Sequence, residues 1–88
     1  MKTRTGKRVK VTTKIFELLV DGTPVEVKAT PFEFNDETRF RVSYNGSPIH
    51  IFVWDSSVGR LSAIGEGAET LPDNIEVAIA HNLQRMAA

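Results

Sequence analysis

The chain has 88 residues, 41% of them hydrophobic and 25% charged, which suits one small soluble domain and leaves no room for a second. It contains no cysteine, which excludes a disulfide framework, a thiolate zinc site and a cysteine nucleophile. No apolar run is long enough to span a membrane, and no apolar segment follows the basic N-terminus. We therefore expect a cytoplasmic protein without a membrane partner.

The formal net charge of zero conceals an asymmetry along the chain. Six of the eleven Lys and Arg residues lie within the first fourteen residues, which contain no acid, whereas the rest of the chain carries eleven acids. We predict a disordered basic arm over residues 1–8 and a single domain over 9–88. The arm either contacts nucleic-acid phosphate or is simply a solvated terminus. The candidate arm residues are Lys2, Arg4, Lys7, Arg8 and Lys10.

The first half of the domain is rich in strand signals. Val9 opens an apolar stretch whose firmest part, residues 14–20, is predicted to be the first strand. Turn residues occupy 21–24, and residues 24–30 alternate with a period of two, which is typical of a half-buried strand. Residues 31–37 are predicted to be a loop.

The connection between these two strands has two solutions. A two-residue turn at 21–22 places Glu17 opposite Glu26, whereas a four-residue loop over 21–24 places Glu17 opposite Lys28. Like charges directly opposite each other destabilise a sheet, so the electrostatics favour the longer loop.

Three further strands and one hairpin turn follow. Residues 38–44, 49–54 and 60–64 are the predicted strands, and Asn45-Gly46 is a strong hairpin signal. A two-residue turn there pairs Val42 with Ile49 and Phe40 with Ile51. This register sorts the apolar residues onto one face.

The C-terminal segment has helical periodicity. Its apolar residues, Ile75, Ile79, Leu83 and Met86, fall on one side of a helix predicted over 72–86. Thr70 and Asp73 have the spacing of a capping box before it, and Val77, Ala80, His81 and Gln84 fall on its exterior.

These elements predict an α+β fold, in which four to five strands form an antiparallel meander and one C-terminal helix packs across one face. The helix covers a core of inward-facing apolar residues. The predicted core consists of Phe16, Leu18, Val25, Val27, Phe40, Val42, Ile49, Ile51, Val53, Leu61, Ala63, Ile75, Ile79, Leu83 and Met86.

The uncovered sheet face must be polar, paired or bound to something else. Our first interpretation is a surface for a protein partner or for self-association as a homodimer. The alternative is single-stranded nucleic acid, whose bases stack on aromatic rings while its phosphates meet cations. The candidate binding residues are Arg39, Arg41, His50, Phe52, Trp54 and Arg60.

The sequence predicts no enzyme, no cofactor and no metal site. His50 is expected beside Arg41, a poor place for a metal cation, and His81 points away from the apolar side of the helix. The acids at 36–37 lie in a turn, and the serines at 56–57 have no visible histidine partner.

Overall fold

The computed structural model describes residues 12–65 and 67–87, and it confirms the predicted α+β fold. One antiparallel sheet has the strand order β1-β2-β3-β4-β5, and a C-terminal helix packs against it. The strands are β1 (Lys14–Val20), β2 (Thr23–Phe34), β3 (Glu37–Tyr44), β4 (His50–Asp55) and β5 (Arg60–Ile64), and the helix is α1 (Asp73–Ala87). The arm residues Lys2, Arg4, Lys7, Arg8 and Lys10 lie outside the described residues.

A two-residue turn joins β1 to β2. Asp21 and Gly22 have φ values of 52° and 80°, the positive pair of a type I′ turn, whose twist matches that of the flanking strands. The predicted four-residue loop is therefore wrong, and Glu17 lies opposite Glu26. The turn geometry prevails because solvent screens the repulsion between two exposed carboxylates.

The second hairpin begins later than predicted. β2 continues to Phe34, so the predicted loop at 31–37 is wrong. Asn35 and Asp36 form the turn, with φ values of 53° and 64°. Phe32 and Phe34 thus belong to a strand, and alternation along β2 places them on the face of the sheet away from α1.

The turn between β3 and β4 lies where the sequence predicts it, at residues 45–46. Ser47 donates its backbone N–H to the Tyr44 carbonyl at 2.8 Å. Pro48 follows and has no N–H to donate, so the ladder does not continue directly from the turn. Pairing resumes only at His50, after one extra residue.

The extra residue shifts the register of β3 and β4 by one and reverses the faces of β4. Val42 pairs with His50 rather than with Ile49. Phe40 likewise pairs with Phe52 rather than with Ile51. The predicted register is wrong, and the consequence is large: Phe52 is 0% exposed, whereas Ile49 is 59% exposed.

The core lies between α1 and the face of the sheet that α1 covers. Ile49, Ile51 and Val53 were predicted to lie on this face and do not, because the shifted register removes them from it, although Val53 is still buried. Ala80 was predicted to be exposed and is buried in the core, and the side chain of Met86 lies outside the described part of the chain. The core consists of Val20, Val25, Val27, Ala29, Phe40, Val42, Phe52, Leu61, Leu71, Ile79, Ala80 and Leu83, with Phe16, Leu18, Tyr44, Ala63, Ile75 and Ala78 packed against it.

The predicted helix is confirmed to within one residue at each end. The predicted capping box is not formed, because the Thr70 hydroxyl donates to the Gly67 carbonyl at 2.6 Å inside a short 3₁₀ turn. Acidic Asp73 and Glu76 in the first turn and basic Arg85 in the last turn complement the helix dipole. Within the described residues, no helix is long and apolar enough to cross a membrane.

α1 packs against the two edge strands, β5 and β1, so the sheet curves around it. Along β5, Glu76 accepts the backbone N–H of Ala63 at 2.9 Å, and Gln84 accepts that of Leu61 at 3.3 Å. Both N–H groups face away from β4. The helix therefore occupies the edge of β5, where an unpaired strand would otherwise offer hydrogen bonds to another chain.

Candidate binding surface

We call the face of the sheet opposite α1 the outer face. Alternation and register assign its members strand by strand. They are Ile15, Glu17 and Leu19 on β1; Pro24, Glu26, Lys28, Thr30, Phe32 and Phe34 on β2; Glu37, Arg39, Arg41 and Ser43 on β3; Ile51, Val53 and Asp55 on β4; and Arg60, Ser62 and Ile64 on β5.

Two arginine–aromatic contacts lie side by side on the outer face. The guanidinium of Arg41 lies 4.0 Å from the ring centroid of Phe32, and that of Arg39 lies 4.5 Å from the ring centroid of Phe34. We call these four residues the arginine–phenylalanine patch. The patch is accessible, because Phe34 is 48% exposed and Arg41 is also exposed. Exposed cation–π contacts of this kind contribute about 0.5–1 kcal/mol each.

The two arginines differ in their charge partners. Arg39 donates from Nε to Glu37 at 2.9 Å, so its charge is partly neutralised. Among the described residues, Arg41 has no carboxylate within 4.0 Å. The charge of Arg41 is therefore the one that an incoming group would meet.

The surface of the sheet beside the patch is apolar. Val53 is only 9% exposed although it lies on the outer face and outside the core cluster. The register that pairs Arg41 with Ile51 brings Arg39 beside Val53. Long arginine stems cover apolar surface while keeping the charged head in water.

The structure divides the predicted binding residues between two faces. Arg39 and Arg41 lie on the outer face. Phe52 does not lie there, because it is wholly buried in the core on the α1 side. His50 is also on the α1 side, where it is buried and stacks on Tyr44 with ring centroids 6.0 Å apart. These two assignments are wrong for the same reason, the one-residue shift at the start of β4.

Trp54 was also predicted on the outer face. The same shift places it on the α1 side of the sheet, where it pairs with Leu61. It is nevertheless 52% exposed, so it lies at the margin of the core rather than within it. Trp54 is therefore no part of a continuous surface with the arginines.

Arg60 turns toward the edge of the sheet. It donates to the Leu61 carbonyl at 3.0 Å and lies 3.6 Å from the Glu76 carboxylate on α1. This side chain therefore helps to hold α1 against β5, while the register keeps Arg60 on the outer face, where its role in binding stays a prediction. An ion pair of this length and exposure contributes little by itself.

Ser57, in the turn beside Arg60, holds the pKa of Asp55 below its ordinary value. The hydroxyl of Ser57 donates to Asp55 Oδ1 at 2.6 Å, and its backbone N–H donates to the same oxygen at 3.0 Å. Both bonds favour the ionised carboxylate. Their contribution to stability is therefore present above the unfolded pKa and is lost as the pH falls through the lowered pKa of the folded state. We expect Ser57→Ala to raise the pKa of Asp55, measured by carbon-detected NMR titration. An unchanged pKa would show that the hydroxyl bond is unimportant.

The sequence interpretation missed the two aromatic residues of the patch. Phe32 and Phe34 were assigned to a loop, although the segment carried a usable signal. The stretch around them alternates apolar and polar residues up to Asn35-Asp36, and both of these residues tolerate the positive φ of a type I′ turn. Extending the alternation to that turn would have placed both rings beside the arginines.

The described residues also form a shallow groove away from the outer face. It has a volume of about 480 Å³ and lies between the end of β1 and the start of α1, with exposed Leu19 and Val77 on its walls. Asp21 in its wall accepts a bond from the Asn74 side-chain amide at 2.7 Å. Within the described residues, no three His, Asp or Glu side chains are grouped so that they could hold a metal ion.

Fold and surface together define a small α+β domain with one helix-covered face and one mixed arginine–aromatic face. No protein-family model, curated protein or solved structure matches the chain.

Proposed function

We propose that this protein is a non-enzymatic binding domain that contacts protein, either another copy or a partner, through its outer face. The observation that carries the proposal is the arginine–phenylalanine patch: two arginine–aromatic pairs at 4.0 and 4.5 Å on a sheet face that no other element of the described chain covers.

The composition of the patch supports a protein partner. Protein interfaces are enriched in aromatic residues and arginine and are depleted in lysine and acids at their centre. Phe34 and Arg41 supply the first two features. Apolar Ile51 and Val53 lie beside the arginines on the outer face. A partner that binds here would therefore bury apolar as well as charged surface.

The charges on the outer face count against the nucleic-acid alternative. A phosphate backbone binds where cations dominate. Here Glu17, Glu26 and Glu37 share the face with the arginines, and Glu37 already pairs with Arg39. The rings of Phe32 and Phe34 are contacted by guanidinium groups of the same chain, so a base would have to displace them in order to stack.

Site-specific photo-crosslinking in cells that make the protein tests this function. A benzophenone amino acid replaces Phe34 in the patch, and in a matched control it replaces Val58, which is comparably exposed but lies in the turn before β5. We expect ultraviolet light to give a discrete protein adduct from position 34 and none from position 58, because only the first lies on the outer face.

Two outcomes would contradict the proposal. An adduct from position 34 that nuclease removes would assign the surface to nucleic acid. The absence of any adduct from position 34, with the variant folded by circular dichroism, would show that the patch contacts no macromolecule.

A further inference from the structure

The outer face carries opposite charges at two separated places. Glu17 and Glu26 lie directly opposite each other on β1 and β2, and we call them the acidic pair. Like charges in this position destabilise a sheet. Among the described residues, neither glutamate has a cation within 4.0 Å, so no ion pair there offsets the repulsion, although Lys28 lies two residues beyond Glu26 on the same face.

The arginines lie farther along the same strands. Arg41 pairs with Thr30, which is four residues beyond Glu26 on β2. At about 3.3 Å per residue, the acidic pair and Arg41 are separated by about 13 Å along the strand direction. Lys28 lies midway between them on β2, and Glu37 pairs with Arg39. The two uncompensated ends of this stretch are therefore the acidic pair on one side and Arg41 on the other.

A surface of this kind is complementary in charge to the same surface of a second copy whose strands run in the opposite direction. We propose, resting on the function proposed above, that the partner of the outer face is a second copy of the chain. The two sheets pack face to face with their strands running in opposite directions, so the acidic pair of each copy meets the arginine–phenylalanine patch of the other. A two-fold axis in the interface makes both contacts at once, as symmetric dimers require.

The dimensions of the face are consistent with a dimer. The five strands together contain 38 residues, and at about 3.3 Å along the strand and about 4.8 Å across it they cover a projected area of roughly 600 Å². Side-chain relief increases this area toward the ~800 Å² that one partner buries in a standard interface. The contact places the acidic pair and the charge of Arg41 against groups of the opposite sign.

Charge reversal with rescue tests the arrangement. Sedimentation velocity follows the full chain from about 5 to about 500 µM, a range in which a weak dimer forms by mass action. We expect wild type to dimerise and Glu26→Lys and Arg41→Glu each to weaken the dimer at least about tenfold, because each variant places like charges against each other across the interface. Mixing the two variants restores opposite charges at one of the two symmetric contacts and exchanges their signs at the other, so we expect a heterodimer that is tighter than either variant homodimer.

The double variant, which carries Glu26→Lys and Arg41→Glu in one chain, fixes the orientation. Reversed packing brings position 26 of one copy against position 41 of the other, where the exchanged charges are again opposite, so the homodimer returns. Packing in the same direction leaves like charges facing each other. Glu69→Lys is the matched control, since it makes the same charge change at an exposed position in the 3₁₀ turn. It should dimerise as wild type does.

Failure of this inference is distinguishable from failure of the proposed function. Wild type that stays monomeric up to the highest concentration would overturn the second copy as partner, while an adduct of another mass from position 34 would still support the binding function. A wild-type dimer that neither charge reversal weakens would overturn the reversed packing of the outer faces.

Discussion

Replacing Phe52 with alanine is expected to lower the free energy of unfolding by about 3–5 kcal/mol. Phe52 has no exposed surface and lies between Phe40 on β3 and Ala63 on β5. The truncation loses the transfer free energy of the ring and leaves a cavity that rigid neighbouring strands cannot fill. Urea denaturation followed by circular dichroism measures the effect, and in a domain of this size it approaches the whole stability.

Ile51→Ala is the matched control for this variant. Ile51 is the adjacent residue in the same strand, but it lies half-buried on the outer face. Its truncation should cost less than about 1.5 kcal/mol. If Ile51→Ala were the more damaging of the two, the faces of β4 would be assigned the wrong way round.

Replacing Glu76 with alanine is the second change with a large expected effect, a loss of about 1.5–3 kcal/mol of unfolding free energy. The carboxylate accepts the Ala63 backbone N–H at 2.9 Å, and a hydrogen bond to a charged group is stronger than a neutral one. Removing it leaves an N–H on the β5 edge without its acceptor. Urea denaturation gives the loss in stability.

Glu76→Gln separates the hydrogen bond from the negative charge. The amide oxygen can still accept the bond, so this variant should retain most of the stability that Glu76→Ala loses. Amide hydrogen exchange gives a local readout: Ala63 should exchange faster in the alanine variant, while Leu61, held by Gln84, should change much less. Equal exchange of Ala63 in wild type and Glu76→Ala would contradict the capping of this edge.

Local periodicity was sufficient to predict most of the architecture. The apolar spacing from Ile75 to Leu83 predicted α1 to within one residue at each end, and alternation placed five strands in chain order. These features depend on neighbours within one element. They could be derived because side-chain direction repeats every 3.6 residues in a helix and every two residues in a strand.

The pairing between elements was harder to derive. At the first turn, the preference of Asp21-Gly22 for a type I′ geometry competed with repulsion between Glu17 and Glu26, and the backbone geometry prevailed. At the third strand connection, the signal at Asn45-Gly46 was correct. Pro48 then inserted one residue before pairing resumed, and a single residue was enough to reverse the faces of β4.

The candidate surface was predicted only in part for the same reasons. Arg39 and Arg41 belong to β3, whose alternation was correct, so they were placed on the outer face. The face predicted for Phe52 depended on the register of β3 and β4, and because that register is shifted, Phe52 is buried. The placement of Phe34 depended on the length of β2, and the strand ends at the turn at 35–36 rather than at Pro31.

The register of β3 and β4 decides which residues form the outer face, and one NMR distance tests it. Arg41 directs its backbone N–H and C=O toward Thr30, since the two-residue turn at 35–36 fixes that alternation. Arg41 and Ile51 are then a non-hydrogen-bonded pair, whose Cα atoms lie about 4.5 Å apart. We predict a strong nuclear Overhauser effect between the Hα atoms of Arg41 and Ile51. An equally strong effect from Arg41 Hα to His50 Hα in its place would contradict the account, since it would return Phe52 to the outer face.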